Sequence, residues 1–140
     1  MISSFRGKYR FLSNFYECPI EFDGMKYQNA ESAFQAMKTL NKEERKPFEN
    51  MKPLTAKKKG KTIPLRDGWD DMREQIMYEV CKAKFMQNQD ILEKLLQTGD
   101  EELVEGNHWG DTFWGVCKGE GENKLGKILM RIRKEEREKA

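Results

Sequence analysis

The amino-acid sequence predicts an α+β fold dominated by helices, with one short β-hairpin near the N-terminus and small strands lining a cleft. Apolar and polar residues alternate on both sides of Asp23-Gly24, a dipeptide that favours a two-residue hairpin turn. From Trp69 to about Gln87 the apolar residues recur instead at helical spacing. Between Gly99 and Gly121 frequent glycines leave room only for short strands. The chain has 140 residues and no internal repeat, low-complexity tract or linker, so it reads as one domain, 1–140, around one core.

The hairpin occupies Pro19 to Tyr27. Asn29 is placed to cap a helix, with Glu31 in the first turn where the helix dipole favours a negative charge. This helix is expected to run to about Leu40, with Ala30, Ala33, Phe34, Met37 and Leu40 as its apolar stripe. Glu31, Gln35 and Lys38, at steps of four and three, share another face. On the residues alone, that face is an ordinary solvated one.

Between Asn41 and Arg66, Pro47, Pro53, Gly60 and Pro64 punctuate short charged pieces that fit one or two short helices. Trp69, Met72, Ile76, Val80 and Ala83, with Phe85 near the end, mark the long amphipathic helix, and Asp90–Gln97 a shorter one. Leu103-Val104-Glu105 and Phe113-Trp114-Gly115-Val116 are strand-sized and flank the turn-like Gly106–Asp111, a cleft wall. Leu125, Ile128, Leu129 and Ile132 give a closing helix, and Arg133–Ala140 reads as its solvated, charge-paired tail.

Charge and composition narrow the function. Lys and Arg number 26 against 24 Asp and Glu, a balance that argues against a dedicated polyanion binder. No apolar run approaches the ~18 residues of a membrane span, and Met1 to Tyr16 lacks the apolar core of a secretory signal, so a cytoplasmic protein is expected. Cys18, Cys81 and Cys117 lie far apart without metal or redox spacing, and read as reduced, buried thiols. His108 is the sole histidine, so no metal site is expected and chemistry should fall to carboxylates and lysines.

Other motifs are ambiguous by themselves. Gly119–Gly126 could set backbone N–H groups against a phosphate but fits a loop and helix cap better. Lys57-Lys58-Lys59-Gly60-Lys61 reads as exposed lysines. Trp69 starts a helix stripe and reads as core, whereas Trp109 and Trp114, in the glycine-rich region, fit core packing and ligand stacking equally.

Five pieces carry a resemblance along nearly the whole chain: Phe11-Leu12-Ser13-Asn14-Phe15, Glu31-Ser32-Ala33-Phe34-Gln35-Ala36-Met37-Lys38, Ala83-Lys84-Phe85, Trp109-Gly110-Asp111-Thr112-Phe113-Trp114-Gly115 and Asn123-Lys124-Leu125-Gly126. In this order, together with Arg66-Asp67-Gly68-Trp69, they closely resemble the NADAR (YbiA-like) family. The resemblance implies hydrolysis of N-glycosidic bonds, in early riboflavin-pathway intermediates or in guanine carrying ADP-ribose. It implies no cofactor, a small phosphorylated riboside or an ADP-ribosylated base as partner, nucleic acid only as an ADP-ribosylated substrate, and no membrane. Lys38 falls on the lysine thought to capture the anomeric carbon as a Schiff base, with Glu31 and Asp111 as the catalytic carboxylates. Asn14, Gln35, Arg66, Trp69, Lys84, Trp109, Trp114 and Asn123 would contact substrate. The chain departs from the family at Lys57–Lys61, where arginine is expected around the glycine.

These residue types suit such chemistry, because a carboxylate can stabilise positive charge on the ribose while a neutral amine captures C1. Lysine is normally protonated near neutral pH, so Lys38 needs burial or a nearby cation, expected from Lys84, Lys57 or Arg66, to lower its pKa. The rival readings are a module that binds ADP-ribose without cleaving it and an RNA-binding domain using the basic cluster.

Overall fold

The computed structural model describes residues 1–139. Its main elements are β1 (Glu17–Phe22), β2 (Met25–Asn29), α1 (Ala30–Ala36), α2 (Lys42–Arg45), α3 (Pro53–Gly60), α4 (Trp69–Gln87), α5 (Gln89–Gln97), β3 (Gly106–Asn107), β4 (Val116–Cys117) and α6 (Lys124–Lys139). The mixed, helix-rich architecture is the predicted class. Contacts cluster in two compact units, Asn14–Asn88 and Met1–Ser13 together with the chain from Gln89 onward.

In the first unit β1 and β2 pair antiparallel, with Phe22 opposite Met25. Asp23 and Gly24 take φ values of 49° and 82°, the left-handed pair that a tight hairpin turn requires. The register shifts between Glu17 and Ile20, where Pro19 has no N–H to give to the ladder. Alternation places Cys18, Ile20, Tyr27 and Asn29 inside and Glu17, Glu21, Lys26 and Gln28 in solvent. Arg45, buried behind the hairpin, reaches the turn through a 2.7 Å ion pair with Asp23.

Asn29 ends the strand and starts the helix. Its Oδ1 accepts the Ser32 N–H at 2.8 Å, and its Nδ2 donates to the Met51 carbonyl at 3.1 Å. The sequence predicts a helix to about Leu40, but α1 stops at Ala36 and its last turn tightens. Met37 N–H donates to Phe34 O at 3.1 Å, and Lys38 N–H to Gln35 O at 3.2 Å. Groups from outside the helix take the carbonyls of the three residues that follow it. Arg66 Nη1 donates to Met37 O, Arg66 N–H to Lys38 O at 2.8 Å, and Arg45 Nε to Thr39 O at 2.8 Å. Ala30, Ala33, Phe34 and Met37 are buried as expected, whereas Leu40, past the helix end, is exposed.

The expected short helices between Asn41 and Arg66 are α2, a 3-10 turn at Lys46–Asn50, and α3. The long helix α4 has the expected bounds, but its buried face runs through Met77, Tyr78, Val80, Cys81, Lys84 and Phe85. Met72, Ile76 and Ala83 are only half-buried. Because α4 packs on β1 and α1, its inward face includes polar positions that a hydrophobic stripe does not reveal.

In the second unit, α5 and α6 pack together, and β3 and β4 form a two-residue parallel pair. The strands predicted at Leu103–Glu105 and Phe113–Val116 are displaced from those positions. Leu103 makes only an isolated bridge to Ile2, and the Asn123 amide takes the backbone groups on either side of Val104. Its Nδ2 donates to Leu103 O and its Oδ1 accepts the Glu105 N–H, both at 2.9 Å. Gly126 permits this approach, since a Cβ there would lie 2.2 Å from Leu103 O. The tail of α6 is charged, with Arg131–Glu135 and Glu136–Lys139 pairs as expected. Arg133, however, is buried and donates to Thr98 Oγ1 at 2.9 Å. Ala140 lies outside the described residues. All three cysteines are buried, free thiols. No helix among the described residues is long and apolar enough to cross a membrane.

Two predictions follow from this packing. Asn29→Ala removes the α1 cap and leaves Met51 O without one of its donors, so it should cost about 2 kcal/mol in urea unfolding. A cost near zero would show that the cap is dispensable. Lys84, wholly buried in α4, has its pKa lowered by burial from 10.5 to about 8. The folded state therefore binds fewer protons than the unfolded chain between these values, and stability rises with pH across that window. The unfolding free energy of the wild type relative to Lys84→Met should climb by roughly 3 kcal/mol from about pH 8 to pH 10.5. A flat difference would exclude a buried, destabilised ammonium.

Candidate active site around Lys38

In the unit Asn14–Asn88, α1 presents Glu31 and Gln35, and the turn after its cap presents Lys38. Their face is not solvated as a free helix face would be. Glu31 and Gln35 are 8% and 6% exposed, and Lys38 is half-buried. Gln35 Nε2 donates to Glu31 Oε1 at 2.8 Å, which gives the buried carboxylate a hydrogen bond and fixes the amide's orientation. The Glu31 N–H donates to the Asn14 carbonyl at 3.1 Å, tying the start of α1 to the segment before the hairpin.

Lys38 Nζ lies 3.5 Å from the carbonyl oxygen of Gly60, the last residue of α3. Burial lowers the Lys38 pKa first; Glu31 opposes this by favouring the ammonium, while Lys61 and Arg73 add to the lowering. The cations involved thus differ from the expected Lys84, Lys57 and Arg66. Lys61 sits at the C-cap of α3 and Arg73 in the first part of α4, positions that bear on Lys38 only once the chain is folded. The outcome is an amine easier to deprotonate than a free lysine beside a buried carboxylate, the combination nucleophilic amine chemistry requires.

The remaining expected residues divide between the two units. Asn14 is buried, and its amide meets α4 through Met77 Sδ at 3.2 Å and Cys81 Sγ at 3.7 Å. Trp69 packs on Phe34, ring centres 5.3 Å apart, in accord with its core reading. Lys84 has its ammonium 5.1 Å from the Phe85 ring centre and 5.8 Å from that of Tyr16. Arg66 closes the end of α1 and lines a concavity of about 560 Å³ with Asp23, Met37, Tyr78 and Lys82; its Nε is buried without a hydrogen-bond partner.

In the second unit, Asp111 Oδ1 accepts the N–H groups of Phe113 and Trp114 at 3.1 and 2.9 Å. Trp114 meets Phe113 edge-to-face at 4.7 Å. Trp109 is 52% exposed, its ring 5.2 Å from that of His108, and His108 Nδ1 lies 3.0 Å from Arg6 Nη2. Asn123 commits both amide atoms to backbone. Sequence reasoning passed over Gly60, Lys61 and Arg73. Glycine inside a basic cluster is the one available signal. Among the described residues, no three His, Cys, Asp or Glu side chains gather in a way that could hold a metal ion.

Comparison with known proteins bears on this geometry. Residues 4–137 match the NADAR domain. The N-glycosidase YbiA of Escherichia coli strain K12 is 35% identical over 127 residues, covering 88% of this chain and 79% of that protein. A Vibrio vulnificus protein named for riboflavin biosynthesis is 36% identical over 143 residues, 93% of this chain but 36% of its own length. The NMR structure of E. coli YbiA superposes with a TM-score of 0.87 at 33% identity, covering 99% of this chain and 84% of that one. The match across nearly the whole chain, in sequence and in fold, places this protein in the NADAR domain family.

Proposed function

We propose that this protein is an N-glycosidase that hydrolyses the bond between a base or aminopyrimidine nitrogen and C1 of a phosphorylated ribose, with Lys38 as nucleophile. The observation that carries the reading is the half-buried Lys38 amine, easier to deprotonate than a free lysine, beside the Glu31–Gln35 pair. Relatives named N-glycosidase support this bond class, and a relative named for riboflavin biosynthesis is in keeping with the aminopyrimidine ribosides that the family resemblance brings. Guanine carrying ADP-ribose is the second substrate class that the family resemblance brings.

The chemistry balances without a cofactor. Neutral Lys38 adds to C1 as the sugar ring opens, and the C1–N bond to the base breaks. The ring oxygen takes one proton of the Lys38 amine and the departing nitrogen takes one from an acid or solvent, leaving the sugar on Lys38 as a protonated imine. Water then adds at C1, and the Lys38–C1 bond breaks to release the sugar and restore the amine. Glu31 is suited to stabilise positive charge as it develops at C1. Arg66, whose guanidinium has an unused buried Nε, is suited to the phosphate. Asp111 keeps the part the resemblance gives it, proton donor or ribose-hydroxyl ligand. A module that merely held ADP-ribose would need neither a buried carboxylate nor an amine tuned toward its neutral form.

Lys38→Arg separates covalent catalysis from electrostatic binding, because a guanidinium keeps the charge but is a poor nucleophile. It should bind a ribosylaminopyrimidine phosphate yet lose at least about a thousandfold in kcat. Borohydride added during turnover should leave the sugar attached to the peptide containing Lys38. Near-normal turnover by Lys38→Arg, or an adduct mapping to Lys84 or to Lys57–Lys61, would move the nucleophile elsewhere. The wild-type rate should rise with pH through the lowered Lys38 pKa, since only the neutral amine attacks.

A further inference from the structure

Gly60 closes α3 without needing glycine's conformational freedom. It is absent from the residues with positive φ, and within a helix glycine is a poorer choice than alanine. Its distinguishing feature is what lies against it. A Cβ at this position would fall 1.9 Å from Gln35 Oε1 and 2.6 Å from Gln35 Cδ. The Gln35 side chain is not free to swing aside, being buried and bound through Nε2 to Glu31. Gln35 Oε1 has no hydrogen-bond partner and stands over the Gly60 backbone, whose carbonyl faces the Lys38 amine.

We propose that Gly60 is a positioning residue for Lys38: its carbonyl aims the amine, and its missing side chain admits Gln35 at the distance that keeps the Glu31–Gln35 pair closed. This extends the function proposed above, since it concerns how the Lys38 amine is held and tuned. Any side chain at position 60 pushes the Gln35 amide away, and Glu31 then loses the hydrogen bond from Gln35. A carboxylate without that donor pairs more strongly with the Lys38 ammonium, and the displaced amide admits water. Both changes favour the protonated amine. The charged groups acting on Lys38 are Glu31 from α1, Lys61 at the end of α3 and Arg73 from α4, and the substitution alters only the first.

The test titrates Lys38 directly by competitive trace acetylation across pH, read on the Lys38 peptide by mass spectrometry, in the wild type and in Gly60→Ala. The Lys38 midpoint should rise in Gly60→Ala by about half a unit or more, and kcat near neutral pH should fall at least about tenfold. An unchanged midpoint in a folded variant overturns the proposal. A raised midpoint in a protein whose wild type releases no sugar supports the positioning role and sinks the N-glycosidase reading instead. If Gly60→Ala does not fold, the double variant Gly60→Ala/Gln35→Ala, which removes the clashing amide, should recover the thermal midpoint. A double variant as unstable as the single one overturns the steric claim.

Discussion

The candidate site depends on the hydrogen bond from Gln35 Nε2 to Glu31 Oε1. A carboxylate taken almost wholly out of water is costly unless its charge is met by donors. Neighbours one helical turn apart can supply such a donor with no extra chain to order. The cap at Asn29 and the Asn14 carbonyl hold the first turn of α1, so that Glu31 has one place to be. Gln35 in turn is confined by the close approach of Gly60. One polar contact thereby links the hairpin, α1 and α3, and each contributes backbone to the position of Lys38.

The two lysines of this unit whose pKa burial lowers illustrate opposite uses of desolvation. Lys84 is enclosed, and burial moves its pKa to about 8. Its aliphatic stem fills space beside Phe85 and Tyr16, and its ammonium lies over their rings, a setting that favours packing over access. Lys38 is shifted in the same direction by burial, but Glu31 opposes the shift and the side chain is not wholly enclosed. An attacking amine must be both deprotonated and reachable. Of the two, only Lys38 couples a lowered pKa with partial exposure.

Much of the fold was legible because its signals are local. Asp23-Gly24 specifies a turn by φ alone, Asn29 specifies a cap by one side-chain acceptor, and nineteen helical residues from Trp69 show their periodicity however they pack. The misread features depend on distant partners. The end of α1 is set by Arg66, which donates to the Met37 carbonyl 29 residues earlier, and by Arg45, and the short strands near Leu103 by the side chain of Asn123. The face of α4 is displaced from the expected stripe because Lys84 turns inward, a position that hydrophobic periodicity does not mark. The site was legible only as a spacing of Glu31, Gln35 and Lys38. Burial, which turns that spacing from a surface pattern into chemistry, belongs to the tertiary structure.

The early end of α1 has a consequence for the amine. Had the helix continued to Leu40, Lys38 would have shared the regular helical surface and its N–H would have donated to the carbonyl four residues back. Instead the Lys38 N–H closes a tighter turn onto Gln35, and its carbonyl is clamped by Arg66. The residue is thus held at both backbone groups from two different directions, and its side chain leaves a turn rather than a helix. Such double anchoring reduces the conformational freedom that a long, flexible lysine would otherwise have to lose on reaching a transition state. Residues 39 and 41 complete the clamp through side-chain bonds of their own, Thr39 Oγ1 donating to Glu44 and Asn41 Oδ1 accepting from Glu43. The polar turn after α1 is therefore part of the site, because it fixes the backbone from which the amine projects.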